Sequence, residues 1–391
     1  MTKRIIAVAA ALALTTSWAH AQEVKVGVNL PYTGIGAEFA QLVDRGMELY
    51  LKLNADKVKP YKITLIKRDV KDPGGANAKI AVQELLTQDN VDILAGWIYS
   101  PNAIASAPLV TAGRRLAVIM NAGTAHITNL SPYYVRTSFS MWHAGYALGE
   151  AAAKNLRAKT AVVGYTDFPP GKDSLAAFKR SFEANGGKVI DEIPMGGAGA
   201  VPDFTPFFQR AKDKKPDVFF VFVPAGDHAA AVVKTYAALG MKEAGIKLIG
   251  PGDVTDDDVL PNMGDAAIGA VTAHMYSAAH PSKLNKDYVA AFEKANNFRP
   301  NFISVGAYDG MHLIYEALKK TNGDTDGDKL IAAMKGMKWE SPRGPISIDP
   351  DTRDIVQNIY IRKVEKVDGK LYNVEFATFE AVKDPVKAEK K

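Results

Sequence analysis

The sequence predicts an α/β protein built from two similar domains, and three observations carry that reading. Its 391 residues exceed what one core fills comfortably, since single cores stop growing at roughly 250–300 residues. From Val24 onward, short apolar runs of strand character alternate with longer segments of helical period, the rhythm of a parallel sheet with helices on both faces. After a connecting stretch from Arg136 to Phe139 that rhythm starts again.

In the first unit, "VKVGVNL" precedes a helical pattern from Glu38 to Leu53, "KITLIKRD" precedes Ala76 to Leu86, "VDILAGW" precedes Asn102 to Ala112, and "LAVIM" follows. In the second, "TAVVGY", "KVIDEI", "DVFFVFV" and "IKLIGPG" are separated by helical patterns through Leu175 to Phe182, Phe204 to Ala211 and Ala229 to Leu239. The C-terminal third breaks the rhythm. Helices near Tyr288 to Ala295, Val305 to Leu318 and Lys329 to Met334 give way to "PISID", "VQNIYIRKV" and "YNVEFATF". Strands with no helix between them pair antiparallel or extend an existing sheet. Two lobes linked by several chain crossings form a hinge, and the cleft between them suits a small ligand.

The N-terminus reads as a secretory leader over residues 1–21: Lys3 and Arg4, an apolar run from Ile5 to Leu14, then Ala19-His20-Ala21, with cleavage expected after Ala21. The apolar run is well short of the ~20 residues that span a bilayer, so the mature chain is expected to be exported and free rather than membrane-embedded. The sequence has no cysteine, which excludes disulfides, thiolate metal sites and a lipid anchor on cysteine. Loss of Lys3 and Arg4 lowers the formal charge of +5 by two, too little for its length to imply a nucleic-acid partner.

Several motifs invite a chemical reading. "VNLPYTGIGAEF" (Val28 to Phe39) carries Gly34-x-Gly36 between strand and helix, and Asp69 ends the next strand, as in a dinucleotide fingerprint. Phe39 stands in place of the third glycine, and Pro31 and Tyr32 intervene; a bulky ring there would obstruct a pyrophosphate. "GDTDGD" (Gly323 to Asp328) spaces its acids like a calcium loop but lacks the glycine after the third acid and the distal glutamate. With a helix starting near Lys329, Asp326 or Asp328 reads better as an N-cap. No G-x-S-x-G occurs, and His126, His143, His228, His274, His280 and His312 are scattered singly, so neither a hydrolase elbow nor a metal set is visible. By contrast, "WIYSPNAIA" and "VIMNAGTAHIT" each end a strand with small or hydroxyl-bearing residues. Ser100 at a helix N-terminus, together with Asn121 to Thr124, could hold a carboxylate with neutral donors alone. Asp253 directly follows "GPG" at the strand end where open α/β sheets bind ligands.

The ordered set "NLPYTG", "GWIYS", "NAGTAHIT", "VRTSF", "GPGDVTDD" and "GAYDG" resembles type I periplasmic solute-binding proteins of the branched-chain amino-acid receptor family, over essentially the whole mature chain. The resemblance implies two Rossmann-like lobes joined by three hinge crossovers, no cofactor and no catalysis. It apportions residues 22–141 and 276–350 to the N-terminal lobe, and 142–275 and 351–391 to the C-terminal lobe. It further implies a monomer in the periplasm that delivers its ligand to an inner-membrane ABC permease with a cytoplasmic ATPase. Carried over by motif, Ser100, Ala122 and Thr124 would bind the ligand carboxylate, Phe39 and Phe168 would line the pocket, and Trp97 and Tyr99 would suit a flat ring. Amino-acid receptors carry a glutamate for the α-ammonium where this chain has Gly252, and Asp253 is the nearest substitute, placed to read a distal polar group. The segments "NAGTAHIT" and "VRTSF" look closer to the branch that takes aromatic acids. The ligand is therefore expected to be an aromatic acid or a branched-chain or other aliphatic amino acid. Alternatives are a sensing module for a signalling receptor, which would share the site, and a secreted α/β enzyme.

Overall fold

The computed structural model describes residues 21–199 and 202–388. The predicted leader and its cleavage site fall outside the described residues but for Ala21.

Two sheets organise the chain. The first, in the order β2-β1-β3-β4-β5, contains β1 (Gln22–Leu30), β2 (Tyr61–Asp69), β3 (Ile93–Gly96), β4 (Ala117–Ile119) and β5 (Tyr134–Arg136). All its pairings are parallel, as alternation with helices requires. The second contains β6 (Thr160–Tyr165), β7 (Lys188–Pro194), β8 (Val218–Phe222), β9 (Lys247–Pro251), β10 (Val271–His274), β11 (Lys338–Ser341), β12 (Gly344–Ile348), β13 (Ile355–Val367) and β14 (Lys370–Val382). Its parallel part, β7-β6-β8-β9-β10, continues into antiparallel β13, which pairs with both β12 and β14. Central strand β8, "VFFVF", is buried throughout, the continuous apolar run that a strand covered on both faces needs.

Three crossings link the sheets: 137–140 after β5, 275–282 after β10, and 335–337 before β11. Helix Phe302–Lys320 returns to the first sheet and packs along helix Ala37–Leu53. The segment 276–350, expected to return to the first lobe as a unit, divides. Its helices do return, whereas β11 and β12 hydrogen-bond into the second sheet. The reason is local: "KWES" and "GPISI" form a tight antiparallel pair, and the next strand, β13, offers β12 an unpaired edge.

Buried ion pairs tie the crossings together. The fully buried Arg343 pairs with Asp309 at 2.9 Å and donates to the carbonyls of Thr137 and Ser138 in the first crossing and to Gln357 Oε1 on β13. Arg136, at the end of β5, makes a bidentate pair with Asp354, both contacts at 2.7 Å. Lys387 joins the same carboxylate and Thr128 Oγ1. Charges taken out of water this completely persist only when paired and hydrogen-bonded.

Candidate functional site

Between the lobes lies a cleft partly open to solvent, lined from the first lobe by Phe39, Ile98, Tyr99, Ser100, Asn121, Gly123, Phe139, Phe302 and Ile303. The other side is supplied by Phe168, Pro170, Phe222, Pro224, Ala225 and Asp253, with Met141 at the first crossing.

Ser100 opens helix Ser100–Gly113 at the end of the connection after β3. Its Oγ accepts the Thr124 N–H at 3.1 Å, which leaves the hydroxyl hydrogen to donate. Thr124 is buried, and among the described residues its Oγ1 has no hydrogen-bond partner. A buried hydroxyl left this way is costly unless a ligand completes it. The loop is shaped from behind by Arg136, whose guanidinium donates to the carbonyls of Ala122, Thr124 and Ala125 at 2.9 to 3.1 Å.

Of the residues singled out in the sequence, Phe39, Tyr99, Ser100, Phe168 and Asp253 share this cavity. Thr124 does not line it, but its backbone N–H donates to the Ser100 Oγ that does. Ala122 and Trp97 do not line it either. The Ala122 N–H is spent on the Trp97 carbonyl at 2.9 Å and its own carbonyl on Arg136, so it has nothing to offer a carboxylate. Trp97 is fully buried, edge-on to Tyr134 at 5.5 Å between ring centroids; it is core. Phe168 stacks on Phe222 at 6.0 Å and 24°, forming one flat wall.

The glycine loop has a structural explanation. Gly36 adopts φ +92°, and a Cβ there would stand 2.3 Å from the Tyr99 hydroxyl, which itself donates to the Ile35 carbonyl. Asp69, the candidate ribose ligand, is instead the loop's anchor, accepting from the Tyr32, Thr33 and Lys71 N–H groups and the Thr33 hydroxyl. Burial alone would raise its pKa, but these bonds hold the carboxyl below its ordinary value. Asp326 caps its helix by accepting the Lys329 N–H, as expected of "GDTDGD".

Sequence reasoning missed Phe222, Phe139, Phe302 and His274 as parts of one place. His274 ends β10, its ring 4.9 Å from Phe139 and 4.5 Å from Phe302. Beside it, Asp253 is buried, and burial pushes its carboxyl up to about 7 against the pull of Arg362. Gly252 explains the departure from the amino-acid pattern. A Cβ there would meet Arg362 Nη2 and His274 Cδ2 at 2.3 Å each and His274 Cβ at 2.6 Å. No side chain, glutamate included, fits at that position without displacing both residues.

A profile described as "Periplasmic binding protein" matches residues 23–370. The chain belongs to the periplasmic binding protein family. Within that family it is 54% identical to a solute-binding protein of an ABC transporter from Rhodopseudomonas palustris BisB5, crystallised with 3,4-dihydroxybenzoic acid; the match covers 93% of this chain and 99% of that one, with a TM-score of 0.89. A second solute-binding protein, from R. palustris HaA2 with p-hydroxybenzoic acid, is 40% identical over 94% and 100% of the two chains, also at a TM-score of 0.89. The Leu/Ile/Val-binding protein homolog 6 of Brucella melitensis is 40% identical over 98% of this chain and 99% of its own. The two-lobed architecture and the interlobe cleft are those of a binding protein, in a family of ligand-capturing rather than catalytic chains. Among the described residues no helix is long and apolar enough to cross a membrane.

Proposed function

We propose that this chain is the periplasmic receptor of an ABC importer that captures a small aromatic carboxylate between its lobes and passes it, unaltered, to an inner-membrane permease with its ATPase. The observation that carries the reading is the lining of the cleft. Aromatic rings contributed by both lobes face a ligand whose carboxylate would meet Ser100 and Thr124, while the crowding at Gly252 bars the glutamate that an α-ammonium would need. Solute-binding proteins 54% and 40% identical to this one hold dihydroxy- and hydroxybenzoic acids, which supports the same class here. Ring faces supply apolar contact without ordering a flexible ligand. Because such a ligand touches both lobes at once, it binds the closed state preferentially and draws the lobes together. The receptor is proposed to act as a monomer, exported through its leader and free of a lipid anchor.

Mass spectrometry of small molecules released by denaturing the purified mature protein tests the assignment. A benzoate- or cinnamate-type acid is expected. Recovery of leucine, isoleucine or valine at stoichiometric yield would instead assign Asp253 to an ammonium and overturn the aromatic reading.

A further inference from the structure

At the edge of the cleft, Asp253, which lines it, holds Oδ2 3.8 Å from Nε2 of His274, a ring packed against the lining residues Phe139 and Phe302; the distance is too long for a direct hydrogen bond. Both atoms are buried, and among the described residues neither has a hydrogen-bond partner. The histidine's tautomer follows from its other nitrogen: Nδ1 accepts the Met275 N–H at 2.9 Å, so the neutral ring carries its hydrogen on Nε2. Burial, with Arg362 and Arg343 nearby, holds that ring well below its ordinary basicity and hence neutral. Arg362 cannot complete the pair, because its guanidinium is committed to the Tyr276 carbonyl, Thr272 Oγ1 and Asp257. With Asp253 ionised, the site thus presents one orphan acceptor and one orphan donor side by side.

We infer that Asp253 and His274 form a reader for a ring hydroxyl remote from the ligand carboxylate, the hydroxyl donating to Asp253 Oδ2 and accepting from His274 Nε2–H. A single oxygen about 2.8 Å from each atom would subtend an angle of about 85° between them, which an O–H and a lone pair on one oxygen can meet with slight adjustment. Only a group that both donates and accepts satisfies the pair. An ammonium only donates and leaves the histidine N–H facing a cation; an ether only accepts and leaves the aspartate unpaired; an unsubstituted ring leaves both orphaned. Sites built to hydrogen-bond a hydroxyl reject analogues that lack it far more strongly than apolar pockets reject a missing methylene. The inference rests on the aromatic-carboxylate reading above and assigns it a phenolic acid rather than a plain benzoate.

Calorimetric titration of the wild-type mature protein with benzoate, 3- and 4-hydroxybenzoate, 4-methoxybenzoate and leucine tests it. The better of the two hydroxybenzoates is expected to bind about tenfold or more tighter than benzoate and than the methoxy analogue. In His274→Phe, which keeps the aromatic packing with Phe139 and Phe302, that preference should collapse to within about threefold. His274→Gln, which restores a donor, should recover part of it. Equal binding of benzoate and both hydroxybenzoates by the wild type would overturn this inference and leave the aromatic-carboxylate reading standing. Binding of leucine but of no aromatic acid would overturn both. Should His274→Phe fail to fold, the wild-type ligand series decides alone.

Discussion

Replacing Ser100 by Ala together with Thr124 by Val is expected to weaken binding of an aromatic acid by roughly 10²- to 10⁴-fold, with ligand-free stability little changed. Hydrogen bonds to a charged group contribute about 1.5–3 kcal/mol each, and the double substitution removes two hydroxyl donors from a carboxylate held in a closed, water-poor cleft. Ligand-free stability is spared because Thr124 Oγ1 has no partner to lose among the described residues, and Ser100 Oγ gives up one bond, to the Thr124 N–H. The readout is calorimetric affinity alongside a ligand-free urea melt. Unchanged affinity would remove both hydroxyls from the site.

The second large effect concerns the residue behind that loop. Arg136→Met is expected to cost about 3–5 kcal/mol of stability at pH 7, because it leaves the buried Asp354 carboxylate with Lys387 alone and releases three loop carbonyls. Its pH dependence has a definite sign. Burial by itself would raise the pKa of the Asp354 carboxyl, but Arg136 and Lys387 overcome this and hold it well below the usual carboxylate range. A group with a depressed folded value stabilises fully above its unfolded value of about 3.9, and that contribution is lost as pH falls toward the folded value. The stability gap between wild type and Arg136→Met is therefore widest near neutrality and narrows below about pH 4. Chemical denaturation at a series of pH values checks this; a gap independent of pH would mean the pair does not act as an ion pair.

Much of the architecture was legible because strand and helix periods alternate so regularly from Val24 to Gly250, and a parallel sheet follows from that alternation. The path of Lys338 to Ile348 was not legible. Which sheet adopts a short antiparallel pair depends on which edge is open, and that edge belongs to a strand encountered later in the chain. The site shows the same division. Ser100 and Asp253 stood out as residues just past the ends of sheet strands, where such folds place ligands, whereas Phe39 was singled out through the family resemblance. Ala122 misled, since a loop N–H looks available until its tertiary partner, here the Trp97 carbonyl, is known. Trp97 misled because a ring at a strand end can turn into the core as easily as into the cleft, and Tyr134 packs edge-on to it there. Phe139, Phe222, His274 and Phe302 converge from four distant segments. Phe222 closes β8, His274 ends β10 and Phe302 opens its helix after the Asn301 cap, while Phe139 lies in the crossing after β5; element ends were the signal available for the first three.

The central claim is that the cleft is built for an aromatic acid rather than for an α-amino acid, and titrating ligand-stripped protein with 4-hydroxybenzoate and, separately, with leucine tests it most directly. Saturable one-to-one binding of 4-hydroxybenzoate, with leucine at least about a hundredfold weaker, is the predicted result. Tight binding of leucine with no heat from the hydroxybenzoate would contradict it.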